Sequence, residues 1–243
     1  MKSYGCNLEC VDDKKTEKVV EFVGPVKIVL VDQPKNSYRH KTWAAAFITL
    51  AQMLMAVTTI FVIFYTLTFK KREYLKALHV FLCTVGFQLV MPTGVLILND
   101  LTGASAPMSF VDRRFEHGML QIFSSGLVAG GALASYFAYN PTTYTLHFYI
   151  GAAATVLALL NAAIGITAYL IGLIISKSKI RIIIIIHRLI GIPAIIASSA
   201  CFISGVINVS FREWVPTVEM FYALLIFCTI YTIIVIYQPF RNI

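Results

Sequence analysis

The chain alternates between short polar stretches and six long apolar runs. The runs cover about residues 43–68, 75–98, 116–138, 146–174, 182–209 and 217–237. Each holds roughly 20 or more mostly apolar residues, the length that an α-helix needs to cross a hydrocarbon core of about 30 Å. The pattern predicts an all-α, polytopic membrane protein with six transmembrane helices. It divides the chain into a polar N-terminal tail, a membrane domain and a short C-terminal tail, at residues 1–42, 43–238 and 239–243.

Composition and charge agree with a protein surrounded by a lipid bilayer. Hydrophobic residues make up 58% of the chain and charged residues only 13%, against about a quarter charged in soluble domains. The net charge of +8 does not indicate a nucleic-acid partner, because the basic residues lie in short loops beside the apolar runs. Fifteen of the 20 Lys and Arg residues fall on the side of the two termini. By the positive-inside rule, both termini are predicted to be cytoplasmic.

The N-terminal tail offers little chemistry. Two β-branched runs around Gly24 and Pro25 indicate a short hairpin, which is too small to have a core of its own. Cys6 and Cys10 form a C-x3-C motif that could take a metal or a lipid, but no partnering pair lies nearby. We assign no function to this segment.

Histidine is the ionisable residue that recurs inside the apolar runs. One histidine lies near the start of each of four successive runs: His79, His117, His147 and His187. Because consecutive membrane helices run in opposite directions, the first and third of these histidines share one half of the bilayer, and the second and fourth share the other half. Helix parity therefore predicts two pairs at two depths.

Two imidazoles that face each other in an apolar layer suit a haem iron, since bis-histidine ligation leaves no open site for oxygen chemistry and serves electron transfer. A single histidine near a helix end is more often an interfacial residue, but four in consecutive helices favour ligation. Zinc would need further ligands, usually thiolate or carboxylate, and none lies at matching depth. The spans hold no deep Asp, Glu or Lys, which argues against a cation transporter.

Small residues accompany two of the histidines. Gly151 and Gly191 each lie four residues after a histidine, one turn deeper on the same helical face. A glycine there could leave room for a flat macrocycle, although small residues also allow close helix packing. Pro92 and Pro193 are expected to bend their helices.

Four stretches of the sequence carry a resemblance to a known family. They are "LHVFLCTVGFQLVMPTGVLILND", "FEHGMLQIFSSGLVAGG", "TLHFYIGAAATVLALLNAAIGI" and "IIIIHRLIGIPAIIASSACFISGV". In this order they resemble the four haem-binding helices of the cytochrome b561 family, a group of six-helix, di-haem electron carriers. "PTGVL" and "HRLIG" are most similar to the core of its ferric-chelate-reductase-like members, without their DOMON domain. The resemblance implies two b-type haems held by the four histidines.

The resemblance also implies an activity, that of a transmembrane ascorbate-dependent reductase. Electrons would pass from cytoplasmic ascorbate to ferric iron, a ferric chelate or monodehydroascorbate on the opposite face, in the plasma membrane or an endomembrane vesicle. It suggests a homodimer as well. The basic residues that we expect to bind the anionic donor are Arg113, Arg114, Lys177 and Arg181, and Arg188 is expected to pair with a haem propionate. Lipid-headgroup anchoring would explain any one of them equally well.

Two alternatives remain open at the level of sequence. A quinone-linked cytochrome b subunit would place two widely spaced histidines on each of two helices, and no helix of this chain has such a pair. A haem-free structural protein descended from the family fits the same hydrophobic pattern. A reduced-minus-oxidised spectrum would separate the haem-free alternative from a haem-containing carrier, because only the latter gives an α-band.

Overall fold

The computed structural model of the chain describes residues 19–22, 28–31, 35–138, 145–172 and 177–241. Side chains are described for residues 39–138, 145–172 and 181–237. The chain divides into two compact units, residues 1–45 and 46–243. Each unit is treated by itself below.

Within the described residues, six helices are long and apolar enough to cross a membrane: Arg39–Thr66, Lys71–Leu96, Phe110–Ala138, Leu146–Gly172, Arg181–Val206 and Val218–Tyr237. The all-α prediction with six spans is therefore confirmed. The helices proper are α1 Lys35–Thr66, α2 Tyr74–Thr84, α3 Met91–Leu96, α4 Phe110–Ala138, α5 Leu146–Gly172, α6 Lys177–Val206, α7 Val209–Trp214 and α8 Val218–Arg241. A single 3-10 turn, Lys71–Glu73, precedes α2.

The first unit contains a hairpin at the position that the sequence indicates. Strand β1, Val19–Phe22, pairs antiparallel with strand β2, Ile28–Val31. The register places Phe22 opposite Ile28. The hairpin has only two short strands, so it remains a local feature in an otherwise helical chain.

The second span is not a regular helix. Between α2 and α3 lies a π-helical segment, Val85–Val90, which we call the π turn. Two residues beyond it stands Pro92, which has no N–H to offer the carbonyl of Gln88 and whose ring would crowd that oxygen in an α-helix. Widening the turn before the proline relieves this contact. By contrast, α6 continues as an α-helix through Pro193.

The fifth span ends earlier than the apolar pattern predicts. The pattern runs to residue 209, but α6 ends at Val206 and a new short helix, α7, begins at Val209. Asn208 separates them, because its side chain accepts a hydrogen bond from the backbone N–H of Ser210 and caps α7. A side-chain cap of this kind favours a helix start over continuation.

The helices of the second unit pack in antiparallel neighbours, with α4 along α2 and α6 along α5. Helix α8 packs against α6 and α3. Aromatic rings join α1 to α7: Tyr65 lies 4.9 Å from Phe211 and 5.3 Å from Trp214, and Phe61 lies 5.2 Å from Trp214. Helix α4 also packs against α5, so the four histidine-bearing spans lie side by side.

Candidate functional site: two histidine pairs

The four histidines meet in two pairs. The ring centres of His79 and His147 are 6.2 Å apart, and those of His117 and His187 are 6.0 Å apart. The ring planes are close to perpendicular, at 82° and 89°. This is the pairing that helix parity predicts.

The separation within each pair fits a single metal ion between the rings. A metal–imidazole nitrogen bond is about 2 Å long, and the nitrogen lies about 1 Å from its ring centre, so two opposite ligands have centres roughly 6 Å apart. The described residues contain no group of three or more His, Cys, Asp or Glu side chains that could hold an ion. Two protein ligands per ion suit a haem, because the porphyrin supplies the other four nitrogens.

Hydrogen bonds fix the tautomer of the first two rings. Nδ1 of His79 lies 2.9 Å from the carbonyl oxygen of Gly131, and Nδ1 of His117 lies 2.6 Å from that of Gly94. A carbonyl can only accept, so each Nδ1 carries the proton and donates it. Nε2 is then the nitrogen with the free lone pair.

The other two rings are held in the same manner. Nδ1 of His187 donates to the carbonyl of Asn161 at 3.1 Å. Nδ1 of His147 lies 3.2 Å from the carbonyl oxygen of Cys201 and 2.9 Å from Oγ of Ser204. The Ser204 hydroxyl donates to the same Cys201 carbonyl at 2.7 Å, so it accepts from the histidine. All four rings therefore present Nε2 as an acceptor.

No hydrogen bond to any of these four Nε2 atoms occurs among the described residues. A lone pair left without a partner between apolar helices costs free energy. Metal-ligating histidines almost always donate their second N–H to a carbonyl or carboxylate, which fixes ring orientation and raises ligand basicity. The arrangement is therefore the one that preoriented metal ligands would have, and the residues present fit haem b.

Two glycines that the sequence did not single out allow the rings to approach their carbonyls. A Cβ on Gly165 would lie 3.0 Å from Cε1 of His187, and a Cβ on Gly205 would lie 3.1 Å from Cε1 of His147. Each glycine lies one helical turn after the accepting carbonyl, so the ring occupies the space of the missing side chain. The signal was present, since both glycines follow the histidine of their own helix at the same spacing.

The glycines that the sequence did single out lie elsewhere in the contact between α5 and α6. A Cβ on Gly151 would meet Sγ of Cys201 at 3.2 Å, and one on Gly191 would meet Nδ2 of Asn161 at 2.9 Å. Both positions thus permit close packing of the two helices. Their contact with a haem macrocycle stays a prediction.

The contacts of α5 and α6 repeat with one spacing. On α5, the spacing runs from residue 147, which is His147, to residue 161, which is Asn161 and accepts from the histidine of α6. On α6, His187 is followed at the same distance along the chain by Cys201, which accepts from His147. At a rise of about 1.5 Å per residue, this spacing separates the two levels by about 21 Å. The two pairs therefore lie at two separate levels along the helices, and the prediction is that these levels are two depths of the membrane.

On α4 and on the second span, the steps from the histidine to the accepting glycine differ by one residue. On α4, the step from His117 to Gly131 equals the steps in α5 and α6. On the second span, the step from His79 to Gly94 is one residue longer. That span contains the π turn, which accommodates one extra residue within the same length of helix.

In the described part of the chain, sulfur atoms lie beside one of the two pairs, so the expectation that no thiol lies at the depth of the histidines is wrong for this pair. Sγ of Cys83 is 3.6 Å from Nδ1 of His79, and Sγ of Cys201 is 3.9 Å from Nδ1 of His147. At the level of the second pair, α5 has Asn161 as the counterpart of Cys201. Its Oδ1 is buried and has no hydrogen-bond partner among the described residues. The two levels therefore offer different polar surroundings.

Of the basic residues that the sequence assigned to a donor or a propionate, Arg113 is the most enclosed. Its Nη1 donates to the carbonyl of Met108 at 3.4 Å, and its buried Nε has no partner among the described residues. It lies one turn before His117, on the same face of α4. Arg114, Arg181 and Arg188 are exposed, and the side chain of Lys177 lies outside the described residues.

A comparison with known protein families matches residues 78–213 to the family described as eukaryotic cytochrome b561. The matched segment is more than half of the chain and contains all four histidines. No curated protein and no solved structure matches the chain.

Proposed function

The chain belongs to the eukaryotic cytochrome b561 family of transmembrane haem b electron carriers, and we propose that it holds two haems, one at each histidine pair. It is a multi-pass integral membrane protein. The observation that carries the proposal is the set of four Nδ1–H donors engaged with carbonyls, which leaves four Nε2 lone pairs without a protein partner.

A haem bound at each level would carry one electron at a time, which would let a reductant be oxidised at one level and an acceptor be reduced at the other. The residues of the chain position these carriers. With the two levels about 21 Å apart along the helices, each level lies near one surface of a hydrocarbon core of about 30 Å. A second electron carrier would shorten the longest distance that an electron must cross in one transfer.

We propose that the termini are cytoplasmic and that the His117/His187 level faces the donor. Among the basic residues on that side are Arg113 and Arg181, which would attract an anionic reductant such as ascorbate. The buried, unpartnered Nε of Arg113 supports a role in binding an anion, either the reductant or a haem propionate. Arg114 and Lys177 are proposed to add to the attraction, and Arg188 to pair with a propionate.

On the opposite face the acceptor is proposed to be ferric iron, a ferric chelate or monodehydroascorbate. The family resemblance supports a homodimer in the plasma membrane or an endomembrane vesicle. No carboxylate or nucleophile is needed, since electron transfer demands position and potential from the protein rather than proton chemistry.

The first experiment is a reduced-minus-oxidised spectrum of the full chain purified from haem-replete cells. We expect the α-band of b-type haem and two haems per polypeptide. His79→Ala and His187→Ala should each remove one of the two, whereas His40→Ala, which alters an exposed histidine of α1, should remove neither. A colourless wild-type protein would leave the haem-free structural alternative.

The donor is tested in liposomes that contain the purified chain in one orientation. Ascorbate on the terminal side should reduce ferric chelate or monodehydroascorbate on the other side. Arg113→Ala and Arg181→Ala should raise the ascorbate concentration at half-maximal rate, with less effect on the maximal rate. Arg212→Ala changes a basic residue of the opposite loop, which stacks over Phe221 at 5.6 Å, and serves as the matched control.

A further inference from the structure

The π turn is held by contacts to neighbouring helices. The backbone N–H of Met91 donates to the carbonyl of Gly86, five positions earlier, which is the pattern that defines the turn. The same carbonyl accepts from Oγ of Ser124 on α4 at 2.8 Å. Oγ1 of Thr93 donates to the carbonyl of Leu89 at 2.6 Å. The turn is therefore bonded both along its own helix and across to α4.

The turn decides which way Gly94 points. Successive residues of a helix differ by about 100° in direction, so one residue more in the step from His79 to Gly94 would turn Gly94 by about this angle if the helix were regular. The extra residue in the π turn removes this offset. As a result the carbonyl of Gly94 meets Nδ1 of His117 at 2.6 Å.

Gln88, in the middle of the π turn, is bonded to two other helices. Its side chain is 2% exposed. Nε2 donates to the carbonyl of Ser198 on α6 at 3.1 Å, and Oε1 accepts from the hydroxyl of Tyr231 on α8 at 2.5 Å. Between membrane helices an amide must find such partners inside the protein. The direction of the Gln88 side chain is therefore fixed from both sides.

Tyr231 is as buried as Gln88. Its side chain is 2% exposed, and the hydroxyl lies 3.4 Å from Sγ of Cys228 besides its bond to Gln88. The residue belongs to α8, which lies beyond the segment matched to the family, residues 78–213. A buried hydroxyl between membrane helices costs free energy unless it is hydrogen-bonded, and the bond to Gln88 meets this need.

We infer that the hydrogen bond between Gln88 and Tyr231 locks the π turn and thereby positions His117, so that α8 would influence the haem at the His117/His187 level through the π turn. Gln88 and Tyr231 are positioning residues in this account. The inference rests on the haem binding proposed above. Because metal-bound imidazole is tuned by the acceptor of its second N–H, a shift of Gly94 should alter the midpoint potential and the spectrum of that haem alone.

The test uses the full chain in lipid nanodiscs, with five variants. Tyr231→Phe removes one hydroxyl, Gln88→Leu removes both amide contacts, and the double variant removes the pair together. Ser199→Ala is the matched control, because it breaks the 2.7 Å bond between Ser199 and Thr232, which also joins α6 to α8 but does not involve the π turn. His187→Ala identifies which spectral component belongs to the His117/His187 level.

Haem content, redox titration, low-temperature electron paramagnetic resonance and thermal unfolding are measured on each variant. We expect Gln88→Leu and Tyr231→Phe to shift only the component of the His117/His187 level in the titration and in the resonance spectrum. Ser199→Ala should shift neither component. The double variant should shift that component no further than Gln88→Leu alone, since both changes act through one lock.

Thermal unfolding separates positioning from a purely structural role. Replacing both partners of a buried hydrogen bond by apolar groups is nearly neutral for stability, whereas replacing one leaves the other unsatisfied. The double variant should therefore regain thermal stability relative to Gln88→Leu, while its haem component stays shifted. Recovery of both would overturn the inference, and so would equal shifts of both haems or no shift in any variant. A wild-type protein without haem would instead refute the proposed function.

Discussion

Gly165 and Gly205 allow a matched test of the two proposed haem sites. A Cβ at Gly165 would stand 3.0 Å from Cε1 of His187, below the 3.4 Å at which ordinary contact begins. The ring must therefore withdraw by a few tenths of an ångström or rotate, and the 3.1 Å bond from its Nδ1 to Asn161 weakens. Gly205→Ala does the same to His147, where the Cβ would stand 3.1 Å from the ring.

The expected loss of haem affinity follows from what the hydrogen bond at the other ring nitrogen of a ligating histidine contributes. Loss of such a contact typically lowers metal affinity about 10- to 100-fold, equivalent to about 1.4–2.8 kcal/mol. Alanine is the better helix former by about 1 kcal/mol, so helix stability by itself should rise slightly. A loss of haem would thus be due to the displaced ring and not to unfolding.

The assay is haem content per polypeptide with the reduced-minus-oxidised spectrum, after purification under limiting haem. Gly165→Ala should deplete the component that His187→Ala removes, and Gly205→Ala should deplete the other. Gly126→Ala is the neutral control, because a Cβ there would meet nothing within 4 Å. Loss of both haems from either variant, or full retention in both, would refute the reasoning.

Three further outcomes are expected. The near-perpendicular ring planes, 82° and 89°, predict strongly anisotropic low-spin resonance signals from both oxidised haems; signals typical of parallel planes would contradict this geometry. Gly131→Ala would bring a Cβ within 2.6 Å of Sγ of Cys83 and should lower the unfolding free energy by about 1–3 kcal/mol in a thermal melt, with partial rescue by Cys83→Ala. Trp214→Ala removes the ring that packs on Phe61 and Tyr65 and should cost about 3 kcal/mol without changing haem content, which melts and spectra of one sample would check together.

Helix direction made the pairing of the histidines predictable, and other contacts were out of reach of the sequence. Alternating apolar runs fix which ends share a depth, so His79 must meet His147 if the two helices are close. The acceptors of the Nδ1 protons are backbone carbonyls, however, and every residue has one. Only the packing of α5 on α6 selects Asn161 and Cys201 from among them.

The contacts of the glycines also could not be predicted from the sequence of one helix. Gly151 and Gly191 follow their histidines by one helical turn, and the local pattern suggested that they face the same partner as the histidine. In the structure, a Cβ at Gly151 would meet Cys201 and a Cβ at Gly191 would meet Asn161, each on the neighbouring helix. Gly165 lies several turns from the histidine of its own helix and serves the histidine of the other. A close approach between two helices involves both sequences, so one helix read alone cannot reveal it.

The π turn could be predicted in part from the sequence, and its form depends on contacts between helices. Pro92 makes some departure from the α-helix necessary, and the sequence predicts a bend there. The helix departs from regularity by one inserted residue. This form is favourable because Gln88 then has hydrogen-bond partners on two other helices. That residue lengthens the step from His79 to Gly94 relative to the matching steps on the other three helices. The inserted residue thus lets the carbonyl of Gly94 accept from His117 as the carbonyl of Gly131 accepts from His79, although the steps along the two helices differ in length.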